Sequence, residues 1–265
     1  MSDISLFIPA GNPGEISFVC IFEEIVEFKR PYKLPYNTLV GILDDGGLDN
    51  SPLYDLDDNT RYSRRAGWIY FTPAGKNILY ETKKNLRYIA IHFNMELYPG
   101  LDVFLNSPEV IFEYAPEGVQ KMEEAFRITD PYYRASCFRE ICLNFCNRHW
   151  PRPLQMDPAH LRFDRILRYI REEACAETTV QQLAELVAMR HDSFSREFTT
   201  TFGMTPKMML QTTLVRKAAN LLQNSAFRIK EIAAQLKFRD EYYFSKFFHR
   251  STGCSPLEYR KRFKR

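Results

Sequence analysis

Short hydrophobic runs alternate with polar clusters over residues 15–112, a pattern typical of β-strands. Aromatic and β-branched residues fill these runs, and clusters of Gly, Pro, Asn and Asp separate them. Several short strands at this spacing predict a small barrel or sandwich. The predicted strands cover residues 16–22, 38–43, 67–72, 77–81 and 86–93.

The pattern changes to a helical period at residue 116. Within residues 131–149, apolar residues recur three and four positions apart, which predicts an amphipathic helix whose stripe packs against the barrel or against a partner helix. The stripe consists of Phe138, Ile141, Cys142, Phe145 and Cys146. Three prolines in residues 150–158 then stop the helix and predict a stiff linker at residues 151–159.

Every segment after the linker has the helical period. The predicted helices cover residues 160–174, 180–187, 192–202, 205–224, 229–236, 241–252 and 255–261. Short helices in this number predict a compact all-α domain. The fold class is therefore α+β with several domains: residues 1–150 form a β-barrel with trailing helices, and residues 160–265 form the helical domain.

Composition and targeting signals describe a soluble chain. Of the 265 residues, 45% are hydrophobic and 26% are charged, and the longest apolar run, residues 16–22, is too short to cross a bilayer. Residues 1–14 lack the pattern of a secretory signal. We therefore expect a cytoplasmic protein that does not contact the membrane, with its six cysteines as free thiols. Because the sequence has no C-x-x-C pair and no H-x-H pair, we expect no metal and no cofactor.

Charge is distributed unevenly between the two halves. Residues 1–159 carry 16 Lys and Arg against 22 Asp and Glu, whereas residues 160–265 carry 20 against 11. The net charges are −6 and +9. This asymmetry indicates that the helical half meets a polyanion and the barrel half does not.

The helical half contains an internal repeat. The first copy contains Leu183-Ala184, Phe194-Ser195-Arg196-x-Phe198 and Gly203-x-Thr205-Pro206, and the second contains Ile232-Ala233, Phe244-Ser245-Lys246-x-Phe248 and Gly253-x-Ser255-Pro256. The copies are 50 residues apart after a short turn and 49 residues apart before it, so the second copy has one extra residue in the turn.

Each copy predicts a helix-turn-helix unit. The small Ala lets the first helix lie closely across the second, and the Phe pair buries one face of the second helix. A Gly in the left-handed conformation ends that helix, and Thr-Pro or Ser-Pro begins the next with an N-cap residue and a proline at the first helical position. The polar face of the second helix is then free to enter the major groove.

The repeat resembles the AraC/XylS family of bacterial transcription regulators over residues 160–262. The second copy, extended to Tyr259-Arg260, is similar to the family signature, and the helix between the copies has the family pattern R-x-A-x-x-L-L at Arg216, Ala218, Leu221 and Leu222. The resemblance implies two helix-turn-helix units, joined by a long helix, that insert into successive major-groove segments of double-stranded promoter DNA.

Eleven residues are candidates for DNA contact. They lie beside the Phe positions that we expect to be buried, or at the start of the second helix of a repeat. They are His191, Asp192, Ser195, Arg196, Thr199, Arg239, Tyr242, Tyr243, Ser245, Lys246 and Arg250. A guanidinium such as that of Arg196 pairs bidentately with guanine. Asp192 and Glu241 either accept from cytosine N4 or cap their helix, and we favour capping for Asp192. For Asp240, the resemblance implies a structural role.

Phosphate contacts fix the register of the protein on DNA without reading its sequence. The candidates are Lys207, Lys230, Lys237, Arg250 and Arg260. For each of these residues, a solvated surface charge is the alternative.

The N-terminal half resembles the cupin-like effector domains of the same family. The resemblance rests on the strand and turn of residues 65–75, although the histidine that often follows this turn is absent. Aromatic groups with polar tips at a barrel mouth suit a small ligand such as a sugar, with buried core aromatics as the alternative. The candidate ligand-binding residues are Tyr36, Trp68, Tyr70, Tyr88 and His92.

One further cluster has two interpretations. Cys142, Cys146 and His149 share one helix face, where they either hold a soft metal or sense oxidants, or simply fill the core; we favour the core. The resemblance implies that the corresponding helices dimerise the effector domain, which makes this apolar stripe a candidate dimer seam. Catalytic motifs are absent from the sequence.

The sequence thus predicts a ligand-responsive activator of catabolic or sugar-related genes, a homodimer that contacts RNA polymerase and is not an enzyme. One alternative is a regulator without a small-molecule effector, controlled by a protein partner. Another is a cupin-type enzyme fused to a DNA-binding domain.

Overall fold

The computed structural model describes residues 15–24, 27–47, 51–83, 85–98, 101–102, 104, 109–149 and 162–263. The chain divides into two compact units. The barrel unit comprises Ile16–Met95 and Ser107–Pro153, and the helical unit comprises Leu154–Arg265 together with Glu96–Asn106 and Met1–Glu15. The predicted linker, residues 151–159, lies outside the described residues, so the domain boundary stays a prediction.

The described residues of the β-structure form two antiparallel sheets. One sheet has the strand order β1-β8-β3-β6-β10, with β9 paired to β8, and the other has the order β2-β7-β4-β5. The strands are β1 (Glu15–Glu24), β2 (Phe28–Lys33), β3 (Asn37–Asp44), β4 (Leu53–Asp55), β5 (Thr60–Tyr62), β6 (Trp68–Thr72), β7 (Asn77–Thr82), β8 (Arg87–Tyr98), β9 (Leu101–Asp102) and β10 (Ile111–Tyr114).

Strand register assigns the two faces of the first sheet. Thr38 on β3 lies directly opposite Thr72 on β6 and opposite His92 on β8, so these three side chains form one row on one face. Tyr70 lies on the same face as Thr72, and its ring stacks on that of Phe112 from β10, with centroids 5.1 Å apart. Phe112 stacks in turn on Tyr62 from the second sheet. The face with Thr38 therefore lines the space between the sheets.

The opposite face of the first sheet is covered by two helices, α1 (Pro116–Arg127) and α2 (Pro131–His149). Phe71 on β6 contacts Phe145 on α2 at a centroid distance of 5.6 Å. Gly41 on β3 lies against Met122 of α1, where an added Cβ would come within 2.7 Å of the sulfur. The helices thus pack directly on the sheet.

The apolar stripe on α2 is used by this packing. Phe138, Cys142, Phe145 and Cys146 are all buried in the single chain. Because these side chains already pack on their own barrel, the structure favours the first of the two predicted destinations of the stripe. Ile141 of the stripe is half-buried, and the stripe as a dimer seam stays a prediction.

The helical unit contains seven helices among the described residues. They are α3 (Asp164–Glu172), α4 (Val180–Leu186), α5 (His191–Phe202), α6 (Pro206–Asn224), α7 (Ile229–Gln235), α8 (Glu241–Thr252) and α9 (Pro256–Phe263). Phe163, just before α3, packs edge-on against Phe194, Phe198 and Phe202 of α5. This aromatic cluster is the core of the first repeat.

Helix α6 connects the two repeats and is largely buried. The Lys217 ammonium donates to the carbonyl oxygens of Glu172 and Ala174 at the end of α3, at 3.1 and 2.9 Å. Burial lowers the pKa of Lys217. Arg216 pairs with the buried carboxylate of Asp102 at 3.5 Å within the same unit. Arg216 and Lys217 of α6 therefore serve internal contacts, whereas Lys207 in its first turn is exposed.

The helices of the described residues were compared with the requirements of a membrane span. None of the helices there combines the length and the apolar character that crossing a bilayer requires.

Candidate nucleic-acid interface

The first helix and the turn have the same geometry in both repeats. Ala184 in α4 and Ala233 in α7 are buried, as the helix crossing requires. In the first turn, the N–H of Met189 donates to the carbonyl of Ala184 at 3.0 Å, and in the second the N–H of Phe238 donates to that of Ala233 at 2.9 Å. The predicted offset of 49 residues before the turn is therefore confirmed in the hydrogen bonding.

Both turns also contain one residue other than glycine in the left-handed region. Ala188 has φ 52° and Lys237 has φ 56°. These residues are again 49 positions apart. Backbone strain of this kind is uncommon, and its repetition at equivalent positions shows that the two turns have the same conformation.

The second helix of each repeat, α5 or α8, buries one face. Phe194 and Phe198 of α5 and Phe244 and Phe248 of α8 are fully buried. Because one stripe anchors each helix, the opposite stripe is left at the surface. We call α5 and α8 the reading helices.

The predicted DNA-contacting residues lie at this surface. Eight of them are exposed, namely His191, Asp192, Arg196, Arg239, Tyr242, Tyr243, Lys246 and Arg250, and three are half-buried, namely Ser195, Thr199 and Ser245. The Thr199 hydroxyl donates to the Ser195 carbonyl of its own helix at 2.6 Å. The candidates thus reach the surface on the reading helices or, for Arg239, in the turn before α8, while contact with DNA stays a prediction.

Capping differs between the reading helices. The Asp240 carboxylate caps α8 by accepting from the N–H of Tyr243 at 2.8 Å, and this bond holds the pKa of Asp240 below its ordinary value. The structural role expected for Asp240 is confirmed. The capping role of Asp192 was wrong, because α5 begins at His191 and places Asp192 inside the first turn. Arg190 occupies the N-cap position of α5 and makes no side-chain cap.

An aromatic and charged cluster stands at the start of α8. The Arg239 guanidinium lies 4.0 Å from the centroid of the Tyr243 ring, and its Nε donates to Asp240 at 3.3 Å. The Tyr242 and Tyr243 rings meet edge to face, with centroids 6.1 Å apart. Sequence reasoning named these residues separately but had no signal for their mutual contacts.

The predicted phosphate contacts separate into two groups. Lys207, Lys230, Lys237 and Arg250 are exposed. Arg260 is half-buried instead, with its Nε donating to the carbonyl of Leu222 at 3.3 Å, and its Nη2 atom is buried. Arg260 therefore contributes to the packing of α9 on α6.

The helix ends that follow the reading helices agree with the prediction. Gly203 and Gly253 have φ 69° and 81°, the left-handed conformation expected of them. The Thr205 hydroxyl accepts from the N–H of Met208 at 3.2 Å, which caps α6. Ser255 and Glu258 bond reciprocally at the start of α9. Both reading helices are thus followed by the same joint, which consists of the left-handed Gly, one further residue and the Thr-Pro or Ser-Pro that begins the next helix.

The predicted ligand residues of the barrel are mostly buried. Tyr36, Tyr70, Tyr88 and His92 are core residues, and Trp68 is half-buried. The Tyr36 ring stacks on His92 at a centroid distance of 4.5 Å. Ligand binding by these residues stays a prediction.

Two threonines in the same space were missed. The hydroxyls of Thr38 and Thr72 are buried, with residue exposures of 3% and 5%, and neither finds a hydrogen-bond partner within the described part of the chain. They face each other across β3 and β6 and lie in the row of His92. Strand alternation alone places Thr72 on the face of Trp68 and Tyr70, although Thr72 was not among the predicted ligand residues, whereas Thr38 needed the strand register.

The cysteine and histidine cluster of α2 has internal partners. Burial raises the pKa of the Cys142 thiol well above its ordinary value, so its reactive thiolate form is disfavoured. His149 forms a hydrogen bond with Glu113 on β10 at 2.7 Å, and Arg148 donates to the same carboxylate at 2.5 Å. Although burial raises the pKa of Glu113, these two hydrogen bonds outweigh it and lower that pKa. This arrangement favours the core interpretation.

Taken together, two helix-turn-helix units of matching geometry, joined by one buried helix, define a double helix-turn-helix DNA-binding domain. Residues 183–262 match the family described as "Helix-turn-helix domain". Within these residues the domain is of the AraC/XylS type, as the resemblance implied.

Curated relatives support the same assignment. The chain is 25% identical over 186 residues to the RCS-specific HTH-type transcriptional activator RclR of Escherichia coli, a match that covers 67% of this chain and 65% of that protein. It is 32% identical over 116 residues to the HTH-type transcriptional activator RhaR of Pectobacterium carotovorum, covering 44% of this chain and 40% of that protein. Each match thus spans less than two thirds of the relative.

A solved structure shares the fold of both halves. ToxT from Vibrio cholerae superposes with a TM-score of 0.67 at 10% identity, covering 94% of this chain and 98% of ToxT. ToxT has also been solved with an unsaturated fatty acid bound. The likeness confirms the predicted α+β fold class, with an N-terminal β-rich half and a C-terminal helical half that contains the helix-turn-helix units.

Proposed function

We propose that this protein is a sequence-specific DNA-binding transcription regulator that activates its target genes. The observation that carries the proposal is the repeated surface of α5 and α8. At a constant offset of 50 residues, each helix buries a Phe pair and exposes a cation, Arg196 or Lys246, on the opposite side. Relatives named as activators support the sign of regulation.

Each reading helix has a distinct task in this mechanism. Arg196 forms a bidentate pair with guanine N7 and O6, an interaction that discriminates against other bases by roughly 1 to 3 kcal/mol. Lys246 donates to base-edge acceptors from α8. Exposed Lys207, Lys230 and Arg250 hold phosphates and set the register. Because the two helices are separate readers, the operator contains two short blocks about one helical turn apart.

Selection of binding sites tests this proposal directly. The full chain is incubated with a pool of random duplexes, and bound sequences are compared for wild type, Arg196→Ala and Lys246→Ala. We expect two preferred blocks, each variant losing the preference in one block only. Arg171→Ala is the matched control, since Arg171 is an exposed cation that belongs to α3 and not to a reading helix. Binding without any sequence preference, with only a steep salt dependence, would contradict the proposal.

The proposal includes a small polar effector bound between the two sheets. The support is the row of Thr38, Thr72 and His92, in which two buried hydroxyls have no partner in the described structure. A buried polar group without a partner destabilises a protein by roughly 1 to 3 kcal/mol. A sugar-like ligand with several hydroxyls satisfies both threonines at once, and its binding shifts the regulator between two states.

Replacement of both hydroxyls by methyl groups tests the effector site. The double variant Thr38→Val, Thr72→Val keeps the side-chain shape, so we expect the melting temperature of the free protein to rise. Isothermal titration with neutral aldopentoses and aldohexoses should then show binding to wild type that the variant loses. Oleate is titrated in parallel. A lowered melting temperature, or oleate binding that the variant retains, would contradict a polar effector at this row.

Two macromolecular partners complete the proposal on the strength of the family resemblance. They are a second copy of the chain and RNA polymerase. Sedimentation velocity with and without operator DNA tests the homodimer. Transcription in vitro from a promoter that carries the selected operator tests activation, and no change in transcript would contradict it.

A further inference from the structure

We propose that the two reading helices recognise chemically different bases, and that α8 reads the 5-methyl group of thymine through Tyr242. The inference rests on the proposed function, since it requires sequence-specific DNA binding. It adds the identity of the bases in the second block and assigns positioning roles to Tyr243 and Arg239.

Equivalent positions of the two helices carry different chemistry. Tyr242 stands 50 residues after Asp192, and both belong to the first turn of their helix. The Asp192 side chain is 100% exposed, and Tyr242 is 69% exposed. A carboxylate accepts hydrogen bonds from base amino groups, such as cytosine N4, whereas an uncharged ring packs against the apolar thymine methyl. The pattern of the repeat thus changes at a base-reading position.

The exposed tyrosines are not needed to anchor α8. Phe244 and Phe248, on the opposite side of the helix, are fully buried. The exposed face combines aromatic surface with the cations Lys246 and Arg250. A partner that complements both features is anionic and presents small apolar groups. The major groove of DNA has this combination where thymine methyl groups line it.

Contacts within the protein hold the tyrosines in place before DNA is bound. Asp240 accepts from the N–H of Tyr243 and from Arg239, and the Arg239 guanidinium covers the Tyr243 ring at 4.0 Å. The Tyr243 ring in turn meets Tyr242 at an interplanar angle of 87°. A tyrosine has only two side-chain torsions, so little conformational entropy is lost on binding. Tyr243 and Arg239 are therefore positioning residues for Tyr242.

Removal of the thymine methyl group tests the inference without altering the protein. In the selected operator, each dT is replaced by dU, one position at a time, and Kd is measured for the full chain. The block bound by α8 is the one in which Lys246→Ala loses its preference. We expect dU in that block to raise Kd about fourfold per contacted methyl, and dU in the α5 block to leave Kd unchanged.

Variants of Tyr242 test whether this one side chain causes the rise in Kd on replacement of dT by dU. Tyr242→Ala should bind dT and dU operators with the same Kd, whereas Tyr242→Phe, which keeps the ring, should retain the fourfold ratio. Tyr243→Ala should reduce the ratio while the thermal melt stays cooperative. The exposed Tyr132→Ala in α2 is the matched control.

The outcomes separate this inference from the proposed function. Two selected blocks in which dU never changes Kd, or an α8 block without thymine, would overturn the thymine inference and leave the DNA-binding function standing. Selection that yields no preferred sequence would overturn both. A dT-to-dU ratio that is the same in wild type and Tyr242→Ala would assign the methyl contact to another residue and reject the role of Tyr242.

Discussion

Single carboxylates near the start of the reading helices have different tasks. Asp240 accepts from a backbone N–H and thereby stabilises the first turn of α8. Asp192, two positions further along its own helix, pairs with its neighbour His191 at 3.1 Å. A shift of two residues relative to the helix start thus separates a helix-capping carboxylate from a fully exposed one.

Removal of the Asp240 cap should destabilise the protein. We expect Asp240→Ala to lower the melting temperature by a few degrees, because a backbone N–H loses its acceptor and Arg239 loses its ion pair. Asp192→Ala is the matched control and should leave the melting temperature unchanged. Equal shifts for both variants in a calorimetric melt would contradict the assignment of the cap.

The pH dependence of this cap has a definite sign. The backbone hydrogen bond lowers the pKa of Asp240 in the folded state below its ordinary value of 3.8. The contribution of the cap is therefore present above the ordinary pKa and is lost as pH falls through the lowered one. The difference in melting temperature between wild type and Asp240→Ala should disappear in the same range. Melts in a series of acidic buffers measure it.

Helices and strands differ in how well the sequence predicts them. The bounds of α5, α6 and α8 agree with the prediction to within one residue, because Gly203, Gly253 and Thr205 mark their ends chemically. Strands β4 and β5 have only three residues each and lack a visible period. Strand β2 contains Pro31, which an edge strand tolerates and which hides it from a pattern search.

Site residues on helices are also easier to predict from the sequence than site residues on strands. The helical period places the outward face of α5 and α8 correctly, because one buried Phe pair fixes the rotation of each helix. The row of Thr38 and Thr72 depends on pairing between strands that are distant in sequence. Pairing of this kind is set by tertiary structure, so alternation along one strand does not predict it.

Truncation of the α2 stripe tests its packing on the barrel. Phe145 is 1% exposed and contacts Phe71, so Phe145→Ala should lower the free energy of unfolding by about 3 to 5 kcal/mol. Tyr132→Ala, at an exposed position of the same helix, is the control and should have little effect. Denaturant titration measures both. Dissociation of an oligomer, with unchanged monomer stability, would instead place the stripe at a subunit interface.

At the scale of the whole molecule, charge separates the halves. The net charge is −6 for residues 1–159 and +9 for residues 160–265. Because DNA is a polyanion, the helical half is attracted to it and the barrel half is repelled. The unequal charge therefore orients the protein during its approach as well as strengthening binding.

Salt dependence of DNA binding should distinguish the two halves. Arg250→Ala removes an exposed cation of α8, so we expect the slope of log K against log salt to become less steep by about 1. Arg127→Ala, an exposed arginine of α1 in the barrel unit, should leave the slope unchanged. Filter binding across a salt series measures both slopes. Equal changes for both variants would contradict contact through the helical half alone.

The identical joints after the reading helices have an evolutionary consequence. Gly203 and Gly253 end these helices in the same backbone conformation, and Thr205-Pro206 and Ser255-Pro256 begin the next ones. None of these joint residues is among the predicted DNA contacts. Mutations can therefore change the outward side chains of one helix while its frame and its sister helix stay intact. A regulator built in this way can change its specificity for one half of the operator at a time. The unchanged helix keeps part of the affinity for the promoter throughout.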